Sequence, residues 1–139
     1  MSYSALWSYD LETKIFSKIK AKLTSKLKTK YAGLNVTMDG KDDTKAKFPT
    51  VFVQFIVNQE YGNTLENDLI NAVKLEIQID VTVPKIQGIS VIREVSGAVI
   101  EAMKSMYFNV TMPMLDFDSD DTIRTVSRFD RVVGQGDNI

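Results

Sequence analysis

50-TVFVQFIVNQEYGNTLENDLINAVKLEIQIDVTV-83 holds two strand-like runs around a polar connector. The second run alternates without a break: Val73, Leu75, Ile77, Ile79, Val81 and Val83 against Lys74, Glu76, Gln78, Asp80 and Thr82. Successive strand side chains point to opposite faces, so this strand has one apolar and one wet face. The first run places Val51, Val53, Phe55 and Val57 on one face and sets Phe52 and Ile56 beside Gln54 and Asn58 on the other. Two large apolar side chains thus stand on the side that the neighbouring strand leaves wet. The connector is longer than a tight hairpin turn, which gives the hairpin an extended tip.

Upstream, the period is helical. Leu11, Ile15, Ile19, Leu23, Leu27 and Tyr31 recur every fourth residue, with Phe16 alongside. Asp10 fits an N-cap and Gly33 a stop signal. Lys14, Lys18, Lys22, Lys26 and Lys30 form a second row about 100° around the helix. That row reads as a solvated face whose stems cover the edge of the core, or else as a docking surface for an acidic partner.

Between this helix and the long strands, "LNVTM" (34–38) fits a short strand and "DGKDDTKAK" (39–47) a mobile loop without apolar anchors. Phe48-Pro49 opens the first long strand, and Pro84 ends the second. A second amphipathic helix follows over 89–106, with Ile89, Ile92, Val95, Val99, Met103 and Met106 on one side and Ser90 as a cap. "FNVTMPMLDF" and "TIRTVSRFDRVV", joined by "DSDD", form a closing pair of strands. Pro113 lacks a backbone donor and places its strand at an edge or beside a bulge. "GQGDNI" (134–139) reads as a frayed tail. The order helix, hairpin, helix, hairpin predicts a single α+β domain over 1–139, an antiparallel sheet with both helices on one face.

The composition suits one globular domain, at 139 residues with 44% hydrophobic and 25% charged side chains. Cys and His are both absent, which removes disulfides, thiol chemistry and the commonest zinc ligand and general base. No secretory signal or membrane-spanning run is expected. Asn35-Val36-Thr37 and Asn109-Val110-Thr111 match the glycosylation pattern but read as strand residues. Charge is asymmetric: residues 1–31 carry seven Lys against Asp10 and Glu12, a net of +5, and the remainder carries −6. That division suits docking between copies or onto charged partners.

No catalytic constellation emerges. Asp116, Asp118, Asp120 and Asp121 begin like a calcium loop, but Asp121 stands where the turn needs Gly and Ser127 where a bidentate Glu belongs. Asp and Ser favour turns by bonding their own backbone, which accounts for the cluster without a metal. There is no Gly-rich phosphate loop, and the Lys row lacks the interleaved aromatics of nucleic-acid readers. No cofactor is expected.

The Lys-rich helix, the charged loop, "FPTVFVQF" (48–55), "EYGNTLEN" (60–67), "AVKLEIQIDVTV" (72–83), "VIREVSGAVIEAMKSM" (91–106) and "DTIRTVSRFDRVV" (121–133) follow one another in a telling order. Together they resemble the tail terminator (tail completion) proteins of long-tailed bacteriophages and related phage-tail-like particles, over about residues 10–133. The resemblance rests on element order and texture; phage head–tail joining proteins share part of it. It implies a non-enzymatic virion protein at the head-proximal end of the tail, assembled in the host cytoplasm. Its copies would form a hexameric ring that caps the tail tube, stops its growth and meets the head connector, and the sheath in a contractile tail. Neither a membrane nor a specific nucleic-acid sequence is an expected partner. On this reading Phe52 and Ile56 are candidate subunit-interface residues. Lys14, Lys18, Lys22, Lys26 and Lys30 are the candidate docking surface. A different class also fits the residues: a small α+β module whose pocket Phe52, Ile56, Met112 and Met114 would line.

Overall fold

Residues 3–4, 6–38, 49–60, 69–70, 72–118, 121–134, 137 and 139 are described by the computed structural model. In chain order the elements are β1 (Tyr3–Ser4), α1 (Leu6–Leu27), β2 (Asn35–Thr37), β3 (Thr50–Glu60), β4 (Leu69–Ile70), β5 (Ala72–Pro84), a 3₁₀ turn (Lys85–Gln87), α2 (Ile89–Ser105), β6 (Asn109–Asp118) and β7 (Thr122–Gly134). Five strands form one sheet in the order β2-β3-β5-β7-β6, and β1 pairs with β4 apart from it. The expected loop 39–47 lies outside the described residues.

The class is α+β, but the sheet is mixed rather than antiparallel. β3, β5, β7 and β6 pair antiparallel, while β2 runs parallel to β3, with Val36 opposite Val51. A parallel neighbour needs a longer return than a hairpin, and residues 38–49 supply that length. Asn35 and Asn109 are strand residues, as their sequence context suggests. Pro113 lies on the edge strand β6, within an irregular stretch between Met112 and Leu115. That is where a residue without a donor disturbs pairing least.

Both helices pack on the sheet face formed by the odd residues of β5 and β7. From α1 come Leu11, Ile15, Ile19, Leu23 and Leu27, and from α2 Ile92, Val95, Ala98, Val99 and Met103, all buried. Burying each of the larger aliphatic side chains stabilises the fold by about 1.5–3 kcal/mol before chain entropy is set against it. Within this layer Ser96 of α2 and Thr125 of β7 share a hydrogen bond of 2.8 Å, which satisfies two hydroxyls without water.

Helix ends differ from the expected ones. α1 begins at Leu6, so Asp10 lies inside it, and it ends at Leu27; Tyr31 follows in a turn, its N–H donating to the Leu27 carbonyl at 2.8 Å. Gly88, at φ 84°, precedes α2 as its N-cap residue, and Ser90 lies in the first turn without capping. At the other end the Phe108 N–H donates to Met103 and the Tyr107 N–H to Lys104, a Schellman closure. Tyr107 takes the left-handed position there, at φ 64°.

β3 contains the main departure from simple alternation. Phe55 pairs with Ile77, but Val57 pairs with Glu76 and Asn58 with Leu75, so Ile56 is the extra residue of a bulge. Beyond it the faces exchange. Val57, expected in the core, stands opposite Glu76 on the uncovered face. Asn58, expected outside, turns toward α1, where its Nδ2 donates to Glu12 at 2.6 Å.

Candidate functional site

The sheet face opposite the helices carries a polar lattice across its centre. Arg128 Nε donates to Gln78 Oε1 at 3.0 Å, Gln78 Nε2 donates to Asp80 Oδ1 at 3.1 Å, and Arg124 lies 3.7 Å from Asp80 Oδ2. Asp80 is only 7% exposed although no helix among the described residues covers it. Phe52 pairs directly with Asp80, and Val126 faces Asp80 from the other side. Phe52 is therefore half-buried against a charged lattice, while Ile56, on the bulge, is 41% exposed. The bulge adds Val57 to the same side, a residue that strict alternation hides.

This geometry does not assemble a ligand pocket from the residues expected to line one. Met112 pairs with Arg128 on β6, and β5 and β7 separate it from Phe52 and Ile56. The polar lattice occupies the ground between them. Met114 lies outside the described side chains. Of the Asp cluster, Asp120 is outside the described residues, and Asp121 is exposed, its carbonyl accepting from the Lys85 N–H at 2.8 Å. Among the described residues no group of three or more acidic, Cys or His side chains gathers as a metal site. Among them, too, no helix is long and apolar enough to cross a membrane.

The Lys row on α1 is divided by its surroundings. Lys26 pairs with Glu101 of α2. Lys30 donates to both Glu94 oxygens, at 3.0 and 2.9 Å, and the Tyr31 hydroxyl donates to the same carboxylate at 2.7 Å. Those two donors hold the Glu94 carboxyl below the usual carboxylate range, the Tyr31 hydrogen bond foremost. The Glu94 carboxylate in turn raises the Lys30 ammonium and the Tyr31 hydroxyl above their ordinary values. Lys18 donates to the Ile139 carbonyl oxygen. Lys14 and Lys22 are exposed and make no ion pair among the described residues. Three of the five lysines thus tie α1 and the turn after it to α2 and to the end of the chain, where Asp137 also accepts from the Gly134 N–H at 2.7 Å.

Sequence periodicity misses the apolar residues outside both helices and the long hairpin. Tyr107 is 73% exposed and Val110 38% exposed, beside one another at the end of α2 and the start of β6. Arg131 stacks 5.7 Å from the centre of the Tyr107 ring and donates to the Met106 carbonyl at 2.8 Å. A left-handed backbone at a non-glycine residue costs about 1–2 kcal/mol. A Tyr where Gly is usual is the one signal the sequence offers, and it is legible only once the helix end is known.

Compared with known families, the chain matches no family model, and it matches none of the curated proteins.

Proposed function

We propose that this chain is a structural component of a phage-type tail, a terminator whose copies form a hexameric ring at the head-proximal end of the tail tube. The ring stops tube polymerisation and presents a surface to the head connector, and to the sheath where the tail is contractile. It performs no catalysis and takes no cofactor. Its partners are further copies of itself, the tube protein and the neck.

One observation carries the reading beyond the resemblance. Among the described residues no helix covers one face of the central sheet, and that face carries Phe52, Ile56 and Val57 beside a laced polar centre. A subunit that works only as a ring needs a second adhesive surface besides its own core. The Lys row supports a smaller role than a docking surface, since Lys26 and Lys30 are engaged within the chain.

The test is genetic. Deleting the gene from the genome that makes the particle should give overlong, headless tubes in the electron microscope, and the wild-type gene should restore normal tails. Tubes of normal length without heads would favour a neck or head–tail joining protein instead. Normal, headed tails in the deletion would overturn both. Complementation by Phe52→Lys with Ile56→Lys should fail although circular dichroism shows the variant folded. Lys is the better probe at 52 because Asp80 lies opposite, where an introduced carboxylate would repel it.

A further inference from the structure

The outer side of α2 holds a glycine that nothing within this chain requires. Ile92, Val95, Val99 and Met103 bury the inner side of the helix. By helical geometry Gly97 lies about 160° around α2 from Val99, facing away from them. A Cβ built on Gly97 meets no atom within 4 Å. Its backbone needs no positive φ, which Gly88 alone takes among the described glycines. Gly is also the poorest helix former after Pro, yet α2 runs unbroken through it from Ile89 to Ser105. What a bare stretch of helix does offer is close approach by a second backbone.

The charges around Gly97 say what approaches. Arg93 stands one turn before it and Glu101 one turn after it on the same side, both exposed. Each lies about 6 Å from the glycine along the axis. The two charges are thus opposite in sign and equally spaced. Two α2 helices laid antiparallel across a two-fold axis at Gly97 set Arg93 of each against Glu101 of the other. A parallel arrangement sets like charge against like. Ser90 meets Lys104 in the antiparallel pair, so no second cation opposes it. Among the described residues Arg93 and Lys104 make no ion pair. Lys26 reaches Glu101, but that pair is exposed on both sides, and a carboxylate accepts from more than one donor. A patch whose charges answer one another after a half-turn fits a second copy of itself.

We propose that two copies of this chain pair through the outer side of α2, antiparallel about a two-fold axis at Gly97, with Arg93 of each copy on Glu101 of the other. The glycine lets the two backbones close in, and the two ion pairs fix the direction of the helices. The contact uses the helix side of the molecule, opposite Phe52 and Ile56, and does not rest on the tail reading. One helix laid on another buries little area, so the pair is a weak one that forms and separates readily.

The chain contains no cysteine, so single cysteines report the contact without background. Gly97→Cys puts each thiol on the axis beside its twin, within the roughly 7 Å between Cα atoms that a disulfide spans. Under mild oxidation it should give a crosslinked dimer on a non-reducing gel. Lys22→Cys, on the exposed side of α1, measures random collision and should crosslink far more slowly. Arg93→Cys and Glu101→Cys should each stay monomeric, because about 12 Å of helix separates each from its own twin, and should crosslink when mixed. Gly97→Cys crosslinking no faster than Lys22→Cys would overturn the proposal. So would Arg93→Cys linking to itself as readily as to Glu101→Cys.

Charge reversal separates this pairing from damage to the fold. In the Gly97→Cys chain, adding Arg93→Glu should slow crosslinking by roughly tenfold, and adding Glu101→Arg as well should restore it. A double reversal as slow as the single one would show that these two residues do not meet. Gly97→Ala in dilute protein should raise the melting temperature, because the space beside it is open and Ala favours the helix. A lower melting temperature would mean that the glycine serves the chain's own packing, and would sink the proposal.

Discussion

On its helix side β5 presents Val73, Leu75, Ile77, Ile79 and Val83, all without solvent exposure; on its open side it presents Lys74, Glu76, Gln78 and Asp80. β7 behaves likewise, with Phe129 at zero exposure on one side and Arg124 and Arg128 on the other. The covered face is held by volume, since close-packed interiors feel the loss of even a methylene. The open face is held by direction, through hydrogen bonds from Arg128 to Gln78 to Asp80. A face of the second kind keeps its shape while remaining available, which a layer of loose aliphatic side chains does not.

Phe129→Ala should separate the two faces most sharply. It removes a fully buried ring paired with Ile77, and should cost about 3–5 kcal/mol by urea denaturation. A cost under about 1 kcal/mol would mean that the covered face is not the core. Ser96→Ala comes next, at about 1–3 kcal/mol, because it leaves the Thr125 hydroxyl buried without its partner. Adding Thr125→Val should recover most of that loss. If the double variant is as unstable as the sum of the single ones, the hydroxyl pair is not the source of the effect.

On the open face the same kind of change should matter less. Asp80→Ala should cost about 1 kcal/mol, since Gln78 and Arg124 are near enough to solvent to find water. A cost as large as that of Phe129→Ala would make the two faces energetically equivalent. The smallest effect belongs to Glu94→Gln, which touches neither face but the exposed clasp between the helices.

Its sign follows from the shifts. Glu94 is lowered, so its contribution is present above the unfolded carboxyl value near ~4.3 and is lost as pH falls through the folded value. Lys30 and Tyr31 are raised, so theirs is present below about 10 and is lost as pH rises through their folded values. The difference in melting temperature between wild type and Glu94→Gln should be small, greatest between about pH 5 and 9, and should fade at both ends. A difference that stays constant from pH 3 to pH 11 would disprove the clasp.

Much of the covered face was legible in the sequence because its periods are uninterrupted. The alternation of β5, the fourth-residue row of α1 from Leu11 to Leu27 and the apolar side of α2 from Ile92 to Met106 reappear as buried residues, whereas Ile89, expected on that side, is 47% exposed at the helix start. What stayed hidden depends on partners distant in the chain. The parallel seating of β2 is decided by β3 and by α1 above it, and "LNVTM" alone carries no direction. Lys26 and Lys30 look like solvated charges until α2 is laid antiparallel beside α1, bringing Glu101 and Glu94 to them. Phe52 and Ile56 were visible as anomalies of alternation, whereas Val57 and Asn58 were misplaced because a bulge leaves no mark in a run of strand formers. Tyr107 was invisible because its exposure follows from how a helix closes.

The bulge at Ile56 also works as a phase shifter. Every residue of β3 beyond it is read in the opposite frame, so one inserted residue decides which half of the strand addresses the helices and which addresses the outside. Removing Ile56 would join Phe55 directly to Val57 and leave Val57 opposite Glu76 and Asn58 opposite Leu75, turned toward Glu12. The strand would then alternate as simply as β5 does, and the open face would lose only the Ile56 side chain. One residue of chain length, rather than any change of side chain, lets the parity of the sequence shift along β3 while its register with β5 holds.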